Sequence, residues 1–163
     1  FVPAVHERIK TATDALTTPA NNADSESTAV RMLIWKAASQ VISENFLFGT
    51  GTGDSKDELI NEYKKRGMTG AVEHRLNAHN EFYQVFVAVG LIGFSVFLLQ
   101  LLIPLLISIR ERKSIYMSFL LILMLNFLTE SMLEAEAGVI FYAFFNSILC
   151  FSFFPKELNL TKP

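Results

Sequence analysis

The sequence predicts an all-α membrane protein in which a water-exposed helical region is followed by three transmembrane helices. Its 163 residues are 51% hydrophobic, with a mean hydropathy of +0.34, and the charged residues are unevenly distributed. Nine of the 14 basic residues and eleven of the 16 acidic residues lie at or before Glu81. After Glu81 no charged side chain occurs until Arg110. The uncharged run over 82–109 has 28 residues. As a helix it would be about 42 Å long, which is enough to cross a membrane at a tilt.

The composition argues against several other classes of protein. The net charge of −2 gives no case for nucleic-acid binding. Cys150 is the only cysteine and lies in an apolar run, so no disulfide framework is expected. The chain begins Phe-Val-Pro, without the positively charged segment of a signal peptide. We expect it to be a C-terminal fragment of a larger multi-span bundle.

Residues 1–81 form the predicted water-exposed region. Apolar residues near every third or fourth position of 3–16 predict a short amphipathic helix, and 17–27 has the composition of a connector. An apolar stripe at helical spacing predicts a second helix over 28–44, with Ser25 or Ser27 as a suitable N-cap. The stripe consists of Val30, Leu33, Ile34, Ala37, Ala38, Val41 and Ile42.

Arg31 lies at the edge of this stripe, one helical turn before Trp35. A guanidinium at this spacing is able to stack on the indole and still direct its donors outward. The alternative is a surface arginine beside a core tryptophan.

A glycine-rich turn, Phe-Gly-Thr-Gly-Thr-Gly, follows at 48–53. A dinucleotide-binding fingerprint requires a preceding strand, and a P-loop requires a Gly-Lys pair. Here a helix precedes the glycines and no such lysine follows. We therefore expect a tight turn with positive φ, whose backbone N–H groups are able to approach an anion. Residues 57–66 then predict a charged helix, whose C-terminal basic residues either face solvent or form a basic rim.

Four residues at fixed spacing mark the entrance to the first span. They are His79 and Asn80 followed, after nine residues, by Gly90 and Gly93. We expect Asn80 to orient His79 or to cap the span, and the two glycines to permit close helix contact. His74 lies five residues before His79, so the two histidines do not share a helical face, and no metal-binding motif accompanies them.

Three apolar segments, 82–109, 114–129 and 137–154, are the predicted spans. A basic loop at 110–113 and an acidic turn at 130–136 connect them, and 155–163 forms a tail. The Lys and Arg residues of the loop and the tail fall on one side, which the positive-inside rule makes cytoplasmic. Arg31, His79 and the acidic turn then face the opposite side.

The His79 motif resembles the pattern His-[Asn/Ser/Gln]-x9-Gly-x-x-[Gly/Thr/Tyr] of the O-antigen ligase family. The Arg31 and Trp35 helix, the turn at 48–53 and the Glu-Ser-Met-Leu-Glu sequence at 130–134 resemble other parts of that family, so the resemblance extends from Arg31 to Phe154. Its members are multi-pass enzymes of the bacterial inner membrane. They transfer a glycan from an undecaprenyl-diphosphate carrier to an acceptor, which for the ligases is a lipid A-core sugar, and they use neither metal nor nucleotide cofactor.

The resemblance implies that residues 1–81 are a periplasmic loop that supplies an arginine and the motif histidine. His79 would be the base for the acceptor hydroxyl, because histidine titrates near neutrality. Arg31 would contact the diphosphate, because a planar bidentate cation suits a concentrated negative charge. Arg75 is a second candidate for the diphosphate, and Asn80 a further substrate-binding residue. Another arginine of the family, from upstream spans, has no counterpart here.

Two alternatives differ from a ligase only in the acceptor: a Wzy-like O-antigen polymerase and a protein O-oligosaccharyltransferase. A non-catalytic membrane transport or assembly module is the alternative from another class. Transporters more often carry charged residues at mid-span. Apart from Gln84 and Thr129 near their ends, the predicted spans offer only Gln100, Asn126, Asn146 and scattered serines, which weighs against transport.

Overall fold

The computed structural model describes residues 28–153, and its regular structure in that part of the chain is entirely helical, as predicted. The helices are α1 (Thr28–Glu44), α2 (Ser55–Lys65), α3 (Thr69–Glu73), α4 (Glu81–Arg110), α5 (Ser114–Phe127) and α6 (Glu136–Phe153), with a 3₁₀ turn at Met132–Glu134. The predicted helix over 3–16, the connector over 17–27 and the tail over 155–163 lie outside the described residues.

The first three helices and the start of α4 share one hydrophobic core. The predicted stripe of α1 faces this core, where Ile34, Ala37 and Ala38 are fully buried. Tyr63 of α2 is also fully buried and packs in the same core as Val87 of α4. Burying these apolar faces against one another fixes α1, α2 and α3 to the beginning of the long apolar helix α4.

Helix α4 is interrupted at Gly90, whose backbone is not helical (φ 61°, ψ −167°). The N–H groups of Leu91 and Ile92 donate instead to the carbonyls of Phe46 and Leu47, over 2.8 and 3.3 Å. In the opposite direction, the N–H groups of Thr50 and Gly51 donate to Val87 and Ala88 of α4, each over 2.9 Å. We call the loop over 46–51 and its backbone pairing with 87–92 the backbone clasp. It satisfies polar groups that the interruption would otherwise leave unpaired within an apolar helix.

The clasp requires glycine on both of its sides. A Cβ on Gly49 would lie 2.5 Å from the Gly90 nitrogen, and a Cβ on Gly90 would lie 2.6 Å from the Leu47 carbonyl oxygen. Both residues also have positive φ. The structure therefore differs from the expectation that Gly90 and Gly93 bring two helices together. Gly90 admits a loop, and a Cβ on Gly93 would meet the side chain of Val89 in its own helix.

Within the described residues, α4 is the one helix both long enough and apolar enough to cross a membrane. Helix α5 has 14 residues and α6 has 18, or about 21 and 27 Å. Both are apolar, and they pack on α4 through a core that includes Leu101, Leu123 and Tyr142. The first predicted span thus coincides with a helix of membrane length and composition, and the arrangement of three spans stays a prediction.

Candidate active site

Arg31 and His79, predicted separately from the sequence, are joined in the structure by Glu130. The Arg31 guanidinium donates through Nη2 to Glu130 Oε1 over 3.0 Å and through Nη1 to the carbonyl of Thr129 over 3.2 Å. The His79 Nδ1 lies 3.5 Å from Glu130 Oε2. One carboxylate thus contacts both a permanent cation and an imidazole. We call these three residues the Arg–Glu–His cluster.

Trp35 connects helix α1 to the loop that carries His79. Its indole Nε1 donates to the carbonyl of Ala78 over 3.0 Å. Its ring lies parallel to that of Tyr83, with centroids 6.0 Å apart and planes 2° apart. The structure therefore gives the indole an aromatic partner on α4, and the hydrogen bonds of Arg31 run to Glu130 and Thr129.

The short loop over 77–80 holds His79 in a left-handed backbone conformation, with φ of 45°. The Ala78 N–H donates to Gln84 Oε1 over 3.2 Å, and the His79 N–H donates to Asn77 Oδ1 over 3.0 Å. A positive φ outside glycine is strained, and such strain persists only where surrounding contacts impose it. These side-chain contacts impose it on the His79 loop.

Asn80 caps the apolar helix and ties it to the acidic turn. Its Oδ1 accepts from the Tyr83 N–H over 3.1 Å, as an N-cap does. Its Nδ2 donates to the carbonyl of Leu128 over 3.0 Å, and its backbone N–H donates to Ser131 Oγ over 3.2 Å. Of the three roles considered for Asn80, the structure shows the cap, and the orientation of His79 and the binding of substrate stay predictions.

Two atoms of the cluster lack a hydrogen-bond partner although they are buried. They are Arg31 Nε and His79 Nε2, and the only other such side-chain atom within residues 28–153 is the hydroxyl of Tyr63. Burial and, to a smaller degree, the charge of Glu134 raise the pKa of Tyr63, which keeps that hydroxyl neutral. Unpaired buried polar atoms are unfavourable and call for an explanation. A substrate that reached the cluster could satisfy both Nε atoms.

The hydrogen bonds within the cluster do not use every donor of Arg31 or both nitrogens of His79. A guanidinium has five N–H donors, and the contacts of Arg31 to Thr129 and Glu130 use one on each Nη atom. His79 faces Glu130 through Nδ1, so Nε2 is the nitrogen that remains for proton transfer. A base oriented by a carboxylate, next to a cation, is suited to transfer to an acceptor hydroxyl from an anionic leaving group.

A family model described as O-antigen ligase matches residues 1–98, which is more than half of the chain. The chain belongs to the O-antigen ligase family. Comparisons with curated proteins and with solved structures gave no match. Membership in the O-antigen ligase family implies glycan transfer of the ligase or polymerase type, and it agrees with the membrane-length apolar helix α4.

The matched region includes Arg31, the turn at 48–53 and the His79 motif through Gly93. It ends before the acidic turn at 130–136, so the part of the expected resemblance that lies beyond residue 98 is not covered by the match. Glu130 is therefore assigned to the site by geometry alone. The sequence predicted that the acidic turn lies on the same side of the membrane as His79 and that 130–134 resembles part of the family, but it gave Glu130 no role at the site.

The other basic residues considered for the O-antigen ligase site have partners elsewhere. Arg75 donates to Asp57 Oδ1 over 2.8 Å, and both side chains are exposed. Arg66 and Lys65 contact Glu62 on their own helix, at 2.6 and 3.4 Å. Among the described contacts, the structure does not bring Arg75 or the basic end of α2 to the Arg–Glu–His cluster.

Proposed function

We propose that this chain carries the periplasmic catalytic loop of a glycosyltransferase that moves a glycan from an undecaprenyl-diphosphate carrier to an acceptor hydroxyl. The acceptor would be a lipid A-core sugar, as for an O-antigen ligase. The observation that carries the proposal is the contact of Glu130 with both Arg31 and His79, because it places a cation and a base in one group at the start of the apolar helix.

Arg31 would stabilise the diphosphate of the carrier. When the bond between the anomeric carbon and the phosphate oxygen breaks, negative charge increases on the leaving diphosphate. A guanidinium binds such charge through paired N–H donors in a fixed plane. Arg31 is 26% exposed, and Glu130 is 52% exposed. A phosphate is therefore able to approach the donors of Arg31 that Glu130 does not use, or to replace Glu130.

His79 would act as the general base. Its Nε2 takes the proton of the acceptor hydroxyl, the acceptor oxygen bonds to the anomeric carbon, and undecaprenyl diphosphate leaves. Glu130, which faces Nδ1, would stabilise the imidazolium that results. Glu130 thus balances the charge of Arg31 in the resting enzyme and that of His79 during transfer.

The location of the cluster suits a lipid-linked donor. Asn80 caps α4 immediately next to His79, and from residue 82 the helix is apolar. The polyprenyl tail would remain in the membrane while the diphosphate reaches Arg31 at the interface. The bacterial inner membrane, with the loop in the periplasm, is the location that follows from this placement and from the positive-inside rule.

The two histidines provide the test of this proposal. In the full-length protein, we expect His79→Ala to abolish glycan transfer from purified lipid-linked donor without loss of protein. His74→Ala is the matched control, because His74 is exposed and ends α3 away from the cluster, and it should retain most of the activity. Equal activity of the two variants would contradict the assignment of His79 as the base.

A further inference from the structure

Two residues that hold the His79 loop, Gln84 and Glu134, also line a cavity of about 520 Å³. We propose that this cavity binds a sugar residue of the acceptor glycan. The inference depends on the proposed function, since an acceptor is meaningful only for a transferase. The volume lies within the range of about 300–1,000 Å³ that is usual for small-molecule sites.

Glu134 links the cavity to the His79 loop. Glu134 lines the cavity, and its carboxylate accepts from Asn77 Nδ2 over 2.8 Å and from Gln84 Nε2. Gln84, also in the lining, accepts in turn from the Ala78 N–H over 3.2 Å. Glu130 and Glu134 of one turn therefore both contact the His79 loop, Glu130 within the cluster and Glu134 from the lining of the cavity.

A buried carboxyl group forms the other polar part of the lining. Glu81 is only 2% exposed, lines the cavity and accepts through Oε2 from the Leu133 N–H over 2.7 Å. This contact fixes the direction of the carboxyl group. Carboxylate oxygens accept hydrogen bonds from several donors at once, which suits neighbouring hydroxyl groups of a sugar ring.

The rest of the lining suits a sugar and disfavours a phosphate. Val85, Ala88 and Leu133 provide apolar surface for the C–H face of a ring. The charged lining groups are Glu81, Glu134 and one lysine, Lys56. Two carboxyl groups against one ammonium make a poor site for a diphosphate. The ligand expected is therefore an uncharged sugar or an amino sugar, distinct from the carrier headgroup assigned to Arg31.

The arrangement also indicates the acceptor rather than the donor. The donor diphosphate is assigned to Arg31, in the cluster. A sugar in the cavity would lie against Gln84 and Glu134, which hold the His79 loop through Ala78 and Asn77. The diphosphate and this sugar would then bind at two different sites next to the His79 loop, as the two substrates of a transfer do.

Kinetics with the full-length enzyme provide the first test. We expect Glu81→Gln to raise the KM for the acceptor about three- to tenfold, because the amide replaces one accepting oxygen with an N–H donor, and to leave the KM for the donor unchanged. Glu58→Gln, an exposed carboxylate of α2, is the control and should change neither value. An unchanged acceptor KM in a folded Glu81→Gln variant would overturn the proposal, as would an equal rise in both values.

Direct binding separates this proposal from the proposed function. The probes are methyl glycosides of glucose, galactose and glucosamine, observed by ligand-detected NMR with full-length His79→Ala protein, which needs no turnover. We expect at least one glycoside to bind, and Thr52→Phe, at the exposed rim of the cavity, to abolish that binding. Absence of binding by all three, or binding unaffected by Thr52→Phe, would refute the acceptor site even if His79 proves to be the base.

Discussion

Replacing Gly49 by alanine is expected to break the backbone clasp and to destabilise the protein by about 2–5 kcal/mol. The positive φ of this residue, 71°, costs a residue with a side chain about 1–2 kcal/mol. The new Cβ would lie 2.5 Å from the Gly90 nitrogen and 2.6 Å from the Ala88 carbonyl oxygen, so the loop must move away. It would then lose the hydrogen bonds from Thr50 and Gly51, each 2.9 Å long and each worth about 0.5–1.5 kcal/mol.

The assay is thermal unfolding of the full-length protein in detergent, with transfer activity measured at a low temperature. Gly53→Ala is the matched control, because Gly53 belongs to the same glycine-rich turn and has nothing within 4 Å of an added Cβ. For 163 residues, 2 kcal/mol corresponds to a fall in Tm of about 4 °C or more, and the fall is smaller for a longer full-length protein. Equal Tm values for Gly49→Ala and Gly53→Ala would refute the view that the clasp requires glycine.

Three further predictions concern the site and its orientation. Glu130→Gln should lower kcat by about 10- to 100-fold while Glu136→Gln does not, because only Glu130 contacts both Arg31 and His79; equal rates in purified-donor assays would contradict this. Asn80→Ala should lower stability by about 1 kcal/mol through loss of the cap, measured by thermal unfolding, and an unchanged Tm would exclude that role. A single cysteine introduced as Ala135→Cys should react with an impermeant thiol reagent in intact spheroplasts. Labelling of Glu111→Cys instead would show that the orientation is the reverse of the predicted one.

Much of the local structure could be predicted because its signals are local. The apolar stripe at helical spacing predicts α1, which spans Thr28–Glu44. The loss of charge after Glu81 predicts the beginning of the long helix α4, and the position of Asn80 before that run is typical of an N-cap. Each of these features depends on residues within a few turns of one another, so periodicity and capping rules are sufficient.

The contacts that assemble the site could not be predicted in this way. Glu130 lies 99 residues from Arg31 and 51 from His79 in the sequence, and no local rule pairs residues at such separations. The partner of Gly90 was missed for a related reason. The clasp is formed by backbone groups of 46–51 and 87–92. Backbone groups are the same in every residue, so only the glycines of the sequence could have indicated it. The aromatic partner of Trp35, which is Tyr83, likewise lies on another helix.

The initial rate of glycan transfer by full-length Arg31→Met protein, from purified undecaprenyl-diphosphate-linked donor, tests the central claim most directly. Lys36→Met, an exposed cation on the same helix, is the control. Loss of a charge-assisted contact to the leaving diphosphate should cost about 2–4 kcal/mol, a fall in rate of roughly 30- to 1,000-fold, and Arg31→Lys should recover only part of it. A rate for Arg31→Met equal to that of Lys36→Met, at matched protein levels, would contradict a role of Arg31 at the diphosphate.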